Sequence, residues 1–323
     1  MTERERFLRT LDRLPVPGRV PTYEQVFFLT LEAFGRVHPL QRQFAQWGQM
    51  SPAERDRHAR DMAEIYIAVA RRYHHSAMFV HVDYGTDRIV DWPRLRRVLE
   101  YIRELSGLEF AVLLHGDPTF AIPTGETMTD FATRMYEDAD SLKRETMTLL
   151  LEYEDLTRRL HGTGLVDGFV LCSDYCFNAA PFYTDDMFND LVAPYLARII
   201  STYRDLGFYT IKHSDGNLNP LLEAIVQCRP HAIHSLDPQG GVSLAAVSAR
   251  YGDRVALCGN VNCGLLQTGT PEQVADDARR SLREGMARGR GYVFCTSNCA
   301  YTGLDLARYE LMNRTWYEEG IYA

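Results

Sequence analysis

Phe208-Tyr-Thr-Ile211 is a short apolar run, His213-Ser-Asp-Gly-Asn217 follows it, and a helix-like segment opens at Pro220. The stretch reads as a strand whose end carries an imidazole and a carboxylate two residues apart. In parallel α/β folds, ligands bind beyond the carboxyl ends of the strands. The same arrangement recurs along the chain. Asp83, His115, Asp174, Asp237, Asn260 and Cys299 also stand at or just beyond the ends of apolar runs. Polar chemistry thus collects at one face of a sheet, the layout of a barrel enzyme.

Eight such runs are candidates for strands: Val20–Phe28, Ala77–Val82, Phe110–Leu114, Gly168–Leu171, Phe208–Ile211, His231–Leu236, Val255–Leu257 and Tyr292–Cys295. Stretches of helical periodicity separate most of them. Ser51-Pro-Ala-Glu54 and Thr270-Pro-Glu-Gln273 each combine an N-cap hydroxyl, proline at the first helical position and an acid or amide at the third, the signature of a helix start. After the second, Val274, Ala278 and Leu282 recur at helical spacing. Eight β/α units with no block of strands alone predict an α/β protein, a (β/α)8 TIM barrel spanning residues 1–323 as a single domain. A doubly wound sheet would carry a glycine-rich phosphate loop, and neither Gly240-Gly241 nor Gly289-Arg-Gly291 fits one. The first strand contains Pro21 and a charged centre, and residues 118–165 hold two long helical patterns that depart from the basic repeat.

The formal charge of −8 over 323 residues argues against a general nucleic-acid binder. No apolar run approaches the roughly 20 residues needed to span a bilayer, and the charged start Met1-Thr-Glu-Arg-Glu-Arg lacks a signal peptide's apolar region. A cytoplasmic protein is expected. Its seven cysteines form no compact disulfide framework and are expected to be reduced thiols.

His213 and Asp215 lead the candidates for chemistry, because residues i and i+2 of an extended segment point the same way. A histidine ligates zinc through a ring nitrogen, and an aspartate ligates it or orients a ligand. Asp215-Gly-Asn217 is equally a set of turn formers. Cys299, in Thr296-Ser-Asn-Cys299, would complete a three-ligand zinc site with an open position, although cysteine is also a common buried hydrophobe. Cys263 could replace or join it. Asp83, Asp174 and Asp237 are placed for proton transfer, or for capping the helices that follow them. His115 is an acid/base or substrate-binding candidate, whereas His81 and His234 alternate with apolar residues and read as structural.

These strand ends resemble the uroporphyrinogen decarboxylase superfamily. The likeness is strongest from about residue 208 onward, in His213-Ser-Asp-Gly-Asn217, Ser235-Leu-Asp-Pro238, Tyr251-Gly-Asp253, Gly259-Asn-Val261, Thr270-Pro-Glu272 and Ser297-Asn-Cys-Ala-Tyr-Thr-Gly303. The resemblance implies a (β/α)8 barrel and a homodimer. True uroporphyrinogen decarboxylases carry an arginine-rich amino-terminal motif and an acid on an early strand. Here Pro15-Val-Pro-Gly-Arg-Val-Pro-Thr22 supplies only Arg19, with Asp83 in the place of the acid. The corrinoid-dependent methyltransferases of the superfamily hold zinc with His-x-Cys and a distant Cys. His213 matches the first ligand, Asp215 stands where the first Cys would be, and Cys299 lies near the last.

The expected activity is therefore transfer of a methyl group between a small substrate and a corrinoid (cobalamin) cofactor presented by a separate protein. Zinc would be held by His213, Asp215 and Cys299, with Asp83, His115, Asp174 and Asp237 lining the pocket. The alternative is a metal-independent decarboxylase or related lyase centred on Asp83, with Arg19 or another base holding a carboxylate. A non-catalytic corrinoid or tetrapyrrole carrier is the third reading.

Overall fold

Seven strands carry the fold: β1 (Ala77–Val80), β2 (Ala111–His115), β3 (Gly168–Leu171), β4 (Tyr209–Ser214), β5 (Ala232–Ser235), β6 (Ala256–Cys258) and β7 (Tyr292–Val293). In this computed structural model, which describes residues 1–42, 47–81 and 92–322, neighbouring strands pair in parallel and follow the chain in the order β1 to β7. A sheet order that never reverses excludes the doubly wound alternative, whose order turns back at a switch point. Parallel neighbours need crossover connections. Helices such as Trp92–Ser106, Ala139–Leu160, Ala193–Asp205 and Leu244–Tyr251 provide them.

The eighth expected strand does not form. Over Val20–Phe28 there are only isolated bridges, Thr22 to Phe294 and Phe27 to Ala300. Pro21 has no N–H to give a ladder, and Glu24 is turned inward to accept hydrogen bonds from Thr296. The segment still joins both ends of the strand order. The Phe294 amide donates to Pro21 O at 2.9 Å and the Ser76 amide donates to Thr22 O at 2.6 Å.

Both faces of the sheet are buried, which is why its strands read as apolar runs rather than as alternation. One face gathers Ala77, Phe79, Ala111, Leu113, Val170, Ile211, Ala232, Ala256, Cys258 and Val293 into one cluster with Phe7, Leu11 and Tyr23. The other sets Met78, Val80, Val112, Leu114, Phe169 and Leu171 against helices, among them Pro52–Arg72 and Trp92–Ser106. With a side-chain period of two, the first face continues at the carboxyl ends as His81, His115, Cys172, His213 and His234.

The two helix starts expected from the sequence are capping boxes. Ser51 and Thr270 accept from the backbone of Glu54 and Gln273, whose side chains accept in return from the cap amides. The two helical patterns within 118–165 are Thr127–Glu137 and Ala139–Leu160. Among the described residues, no helix is long and apolar enough to cross a membrane.

Candidate active site

β4 runs three residues past its apolar stretch, to Ser214, and delivers His213 into the sheet interior, with Asp215 just beyond. β3 ends at Leu171, and Asp174 follows it on the neighbouring strand end. His213 Nε2 lies 3.5 Å from Asp174 Oδ1 and 3.7 Å from Asp215 Oδ1. Among the described residues, this trio is the group of histidine, cysteine and acidic side chains whose donor atoms converge closely enough to share a metal ion. Two oxygen or nitrogen donors bound at about 2.0–2.1 Å to a tetrahedral ion stand about 3.3 Å apart. The observed separations fit that edge with little adjustment.

Each member is held by a neighbour. His213 Nδ1 and His234 Nδ1 are 2.7 Å apart, so one ring donates to the other. Burial, with the His213 ring beside it as a lesser cause, drives the His234 pKa well below the ordinary value. A neutral His234 that accepts fixes the proton on His213 Nδ1 and leaves Nε2 as a lone-pair donor toward the carboxylates. Asp215 Oδ1 accepts from Ser235 Oγ at 2.7 Å, and Oδ2 accepts from Asn298. The Asp215 amide donates to Asp174 Oδ1 at 2.9 Å. Burial raises the Asp215 carboxyl to about 6; His213 offsets part of this, and the Asp174 charge adds to it. Two carboxylates crowded around one imidazole nitrogen are a typical cation-binding arrangement.

The other expected residues fall outside the trio. Asp83 lies outside the described residues. Asp237 caps the short helix Pro238–Gly240 by accepting from the Gln239 amide at 2.9 Å, and burial raises its carboxyl. Cys299 is not in the group: it is the adjacent Asn298 whose side chain reaches Asp215, while Cys299 O faces Cys263 Sγ at 3.9 Å. Burial pushes both thiols up, Cys263 to about 12.

His115 faces a different space. Its Nδ1 is 3.0 Å from Tyr153 Oη, its ring lies parallel to His81, and burial lowers its pKa to about 4. It lines a cavity of about 1090 Å³ with Asp117, Thr119, Cys172 and Ser173 at the strand ends and Phe131, Tyr153 and Leu156 from the two helices of 127–160. Ser173 at the cavity wall precedes Asp174 in the chain. The acids Asp130, Glu145, Glu152 and Asp155 also line the cavity, against Arg134 and Arg159, and both arginines are already paired, with Glu145 and Asp155. Arg19 lies elsewhere, its guanidinium 3.9 Å above the Tyr317 ring and its Nε donating to Tyr317 O.

Sequence reading missed Lys212 and Asp117, a fully buried ion pair at 2.8 Å. A lysine inside an apolar run was the available signal, since burial of that side chain demands a partner. It also read His234 as structural without linking it to His213, which requires the register that pairs them across β4 and β5.

Comparison with known proteins agrees with this architecture. The family model described as Uroporphyrinogen decarboxylase (URO-D) matches residues 171–316. No curated protein matches the sequence. Among solved structures, a methyltransferase from Methanosarcina mazei superposes with a TM-score of 0.74 at 15% identity, over 98% of this chain and 99% of that one. A GH5_18 protein from Bifidobacterium longum subsp. infantis superposes at 0.51 and 13% identity, over 94% and 79%. At such identities the likeness establishes the fold alone. Residues 171–316, which carry β4 to β7 and the trio, are the part of the chain that is similar to the uroporphyrinogen decarboxylase family.

Proposed function

We propose that the protein moves a methyl group between a small substrate and a corrinoid presented by a separate protein, assisted by a zinc ion held by His213, Asp215 and Asp174. The observation that carries this reading is the convergence of one imidazole nitrogen and two carboxylates on adjacent strand ends. The fold shared with the Methanosarcina mazei methyltransferase supports it. When bound, zinc supplies a Lewis acid for the heteroatom that carries or receives the methyl group.

The chain's own residues do the rest. His234 keeps the His213 ring oriented, and Ser235 and Asn298 hold the Asp215 carboxylate in place. The large cavity, lined by Ser173 next to Asp174 in the chain, offers room for a substrate. His115 on its wall is neutral at physiological pH, because burial lowers its pKa to about 4, and presents an uncharged polar contact to a substrate. Carboxylates in place of the thiolates expected of the family leave the ion harder and more electrophilic, which favours an ether or methoxy oxygen over a thiol as the substrate atom. A decarboxylase acting on a polycarboxylate fits less well: the lining acids outnumber the arginines, both arginines are paired, and Arg19 is engaged by Tyr317.

Elemental analysis of protein purified without chelator tests the proposal, beside His213→Ala, Asp174→Asn and Cys299→Ser. About one zinc per chain, lost in the first two variants and kept in the third, is expected. Loss in Cys299→Ser with retention in Asp174→Asn would return the third ligand to Cys299. No metal in the wild type, even after supplementation under reducing conditions, would overturn the metal reading and favour acid-based lyase chemistry.

A further inference from the structure

Lys212 is the one lysine in the buried strands, and its side chain is 0% exposed. On β4 it alternates with His213 and so points away from the sheet interior, toward β3. Its ammonium donates to Asp117 Oδ2 at 2.8 Å, Ser173 O at 2.8 Å and Leu171 O at 3.3 Å, and lies 4.1 Å from the centre of the Tyr175 ring. All three of its N–H groups are thereby used, which leaves the amine no role as a nucleophile or base.

Asp117 is equally saturated. It accepts from Lys212 and from the Ser173 amide on Oδ2, and from the Thr119 amide and hydroxyl on Oδ1. Burial alone would raise its carboxyl, but Lys212 and these hydrogen bonds outweigh that and hold it low. The Thr119 hydroxyl gives its proton to Asp117, so the Tyr175 hydroxyl, 2.6 Å away, donates to it. Ser173 Oγ donates to Thr119 O, and the Tyr175 amide donates to Ser214 Oγ.

The consequence falls on the residue between. Ser173 is held at its amide, carbonyl and hydroxyl, and Tyr175 at its amide and hydroxyl, so Asp174 is fixed from both sides. A buried ion pair is a poor way to gain stability, since apolar groups of equal volume do as well or better. Geometric control is what such a pair can add. We propose that Lys212 and Asp117 are positioning residues that hold the Asp174 carboxylate against His213 and Asp215. This rests on the metal reading above for its chemical purpose, though not for its geometry.

The test uses the full chain and the double variant Lys212→Met/Asp117→Asn, which removes both charges and strands neither. Tyr175→Phe, which loses only the hydroxyl bond to Thr119, serves if the double variant does not fold. Two quantities are read: the affinity and visible spectrum of cobalt(II), and exchange of the Asp215 amide proton, which is bonded to Asp174. The expected result is a folded variant that binds cobalt(II) about tenfold or more weakly, as for other groups that orient a ligand, with an altered spectrum. Asp215 amide exchange is accelerated while the amides of β6 keep their wild-type rates. A variant with wild-type cobalt affinity, spectrum and Asp215 exchange, differing only in overall stability, would overturn the proposal. If the wild type itself binds no cobalt(II), the metal reading fails and the Asp215 exchange rate alone decides whether the clamp exists.

Discussion

Asp215→Asn, studied in protein stripped of metal by a chelator, tests the electrostatics of the site directly. The Asp215 carboxyl is raised from 3.8 to about 6, first by burial and then by the Asp174 charge, with His213 opposing. A folded pKa above the unfolded one means that the folded state binds the extra proton between those two values. Stability therefore falls as pH rises through about 4 to 6, and the full cost is present above 6. A gap of roughly two pH units corresponds to about 3 kcal/mol. Asparagine removes the charge at nearly constant shape. It still accepts from Ser235, but its amide meets the Asn298 side chain, which must turn; one imperfect hydrogen bond costs about 1 kcal/mol. Urea denaturation should thus find the variant about 2 kcal/mol more stable than the wild type at pH 8, from the difference of these two figures, and slightly less stable near pH 4. Added zinc should then stabilise the wild type and not the variant, because only a ligand that binds the folded state raises its stability. A stability difference that is the same at pH 4 and pH 8 would refute the reasoning.

Two further perturbations probe the frame. Glu24 is buried and its carboxyl is raised from 4.5 to about 8, by burial against hydrogen bonds from Thr296 and Tyr309. Stability should decline with rising pH across that window by at most roughly 5 kcal/mol; Glu24→Gln should flatten that part of the profile, and an unchanged slope in urea titrations at pH 5 and 8.5 would count against the buried neutral acid. Gly168→Ala places a Cβ 2.4 Å from Tyr209 O on the paired strand. Because the obstacle is backbone, the cost should reach about 3 kcal/mol, and a wild-type urea midpoint would show that β3 and β4 are not so closely apposed.

Much of this architecture could be read from local sequence because each strand is buried on both faces. Such strands appear as apolar runs, and seven of the eight runs became strands within a few residues of the expected limits. The helix starts at Ser51 and Thr270 were equally local, since a capping box closes within four residues. Val20–Phe28 misled because apolar composition does not report hydrogen-bonding capacity: Pro21 cannot donate, and the Glu24 carboxyl is turned inward to accept from Thr296.

The site divides along the same line. His213 and Asp215 sit two apart on one segment, so local spacing was enough to pair them as candidates. Asp174 was visible as a polar residue at a strand end, but its partnership depends on β3 lying beside β4 in the register that pairs Val170 with Ile211 and Leu171 with Lys212. Cys299 was placed by its position just past the last apolar run and again by the family resemblance; the chain after the two-residue β7 is irregular, and there it is Asn298 whose side chain reaches Asp215. The change is chemical as well as geometric. With Asp215 standing where a thiolate is expected and Asp174 supplying the next donor, the trio offers oxygen where the family offers sulfur. Oxygen donors give less charge to a bound ion than thiolates do and would leave it more acidic. If zinc binds there as proposed, the two carboxylates would suit the site to activating an oxygen leaving group, and a substrate screen should begin with methyl ethers.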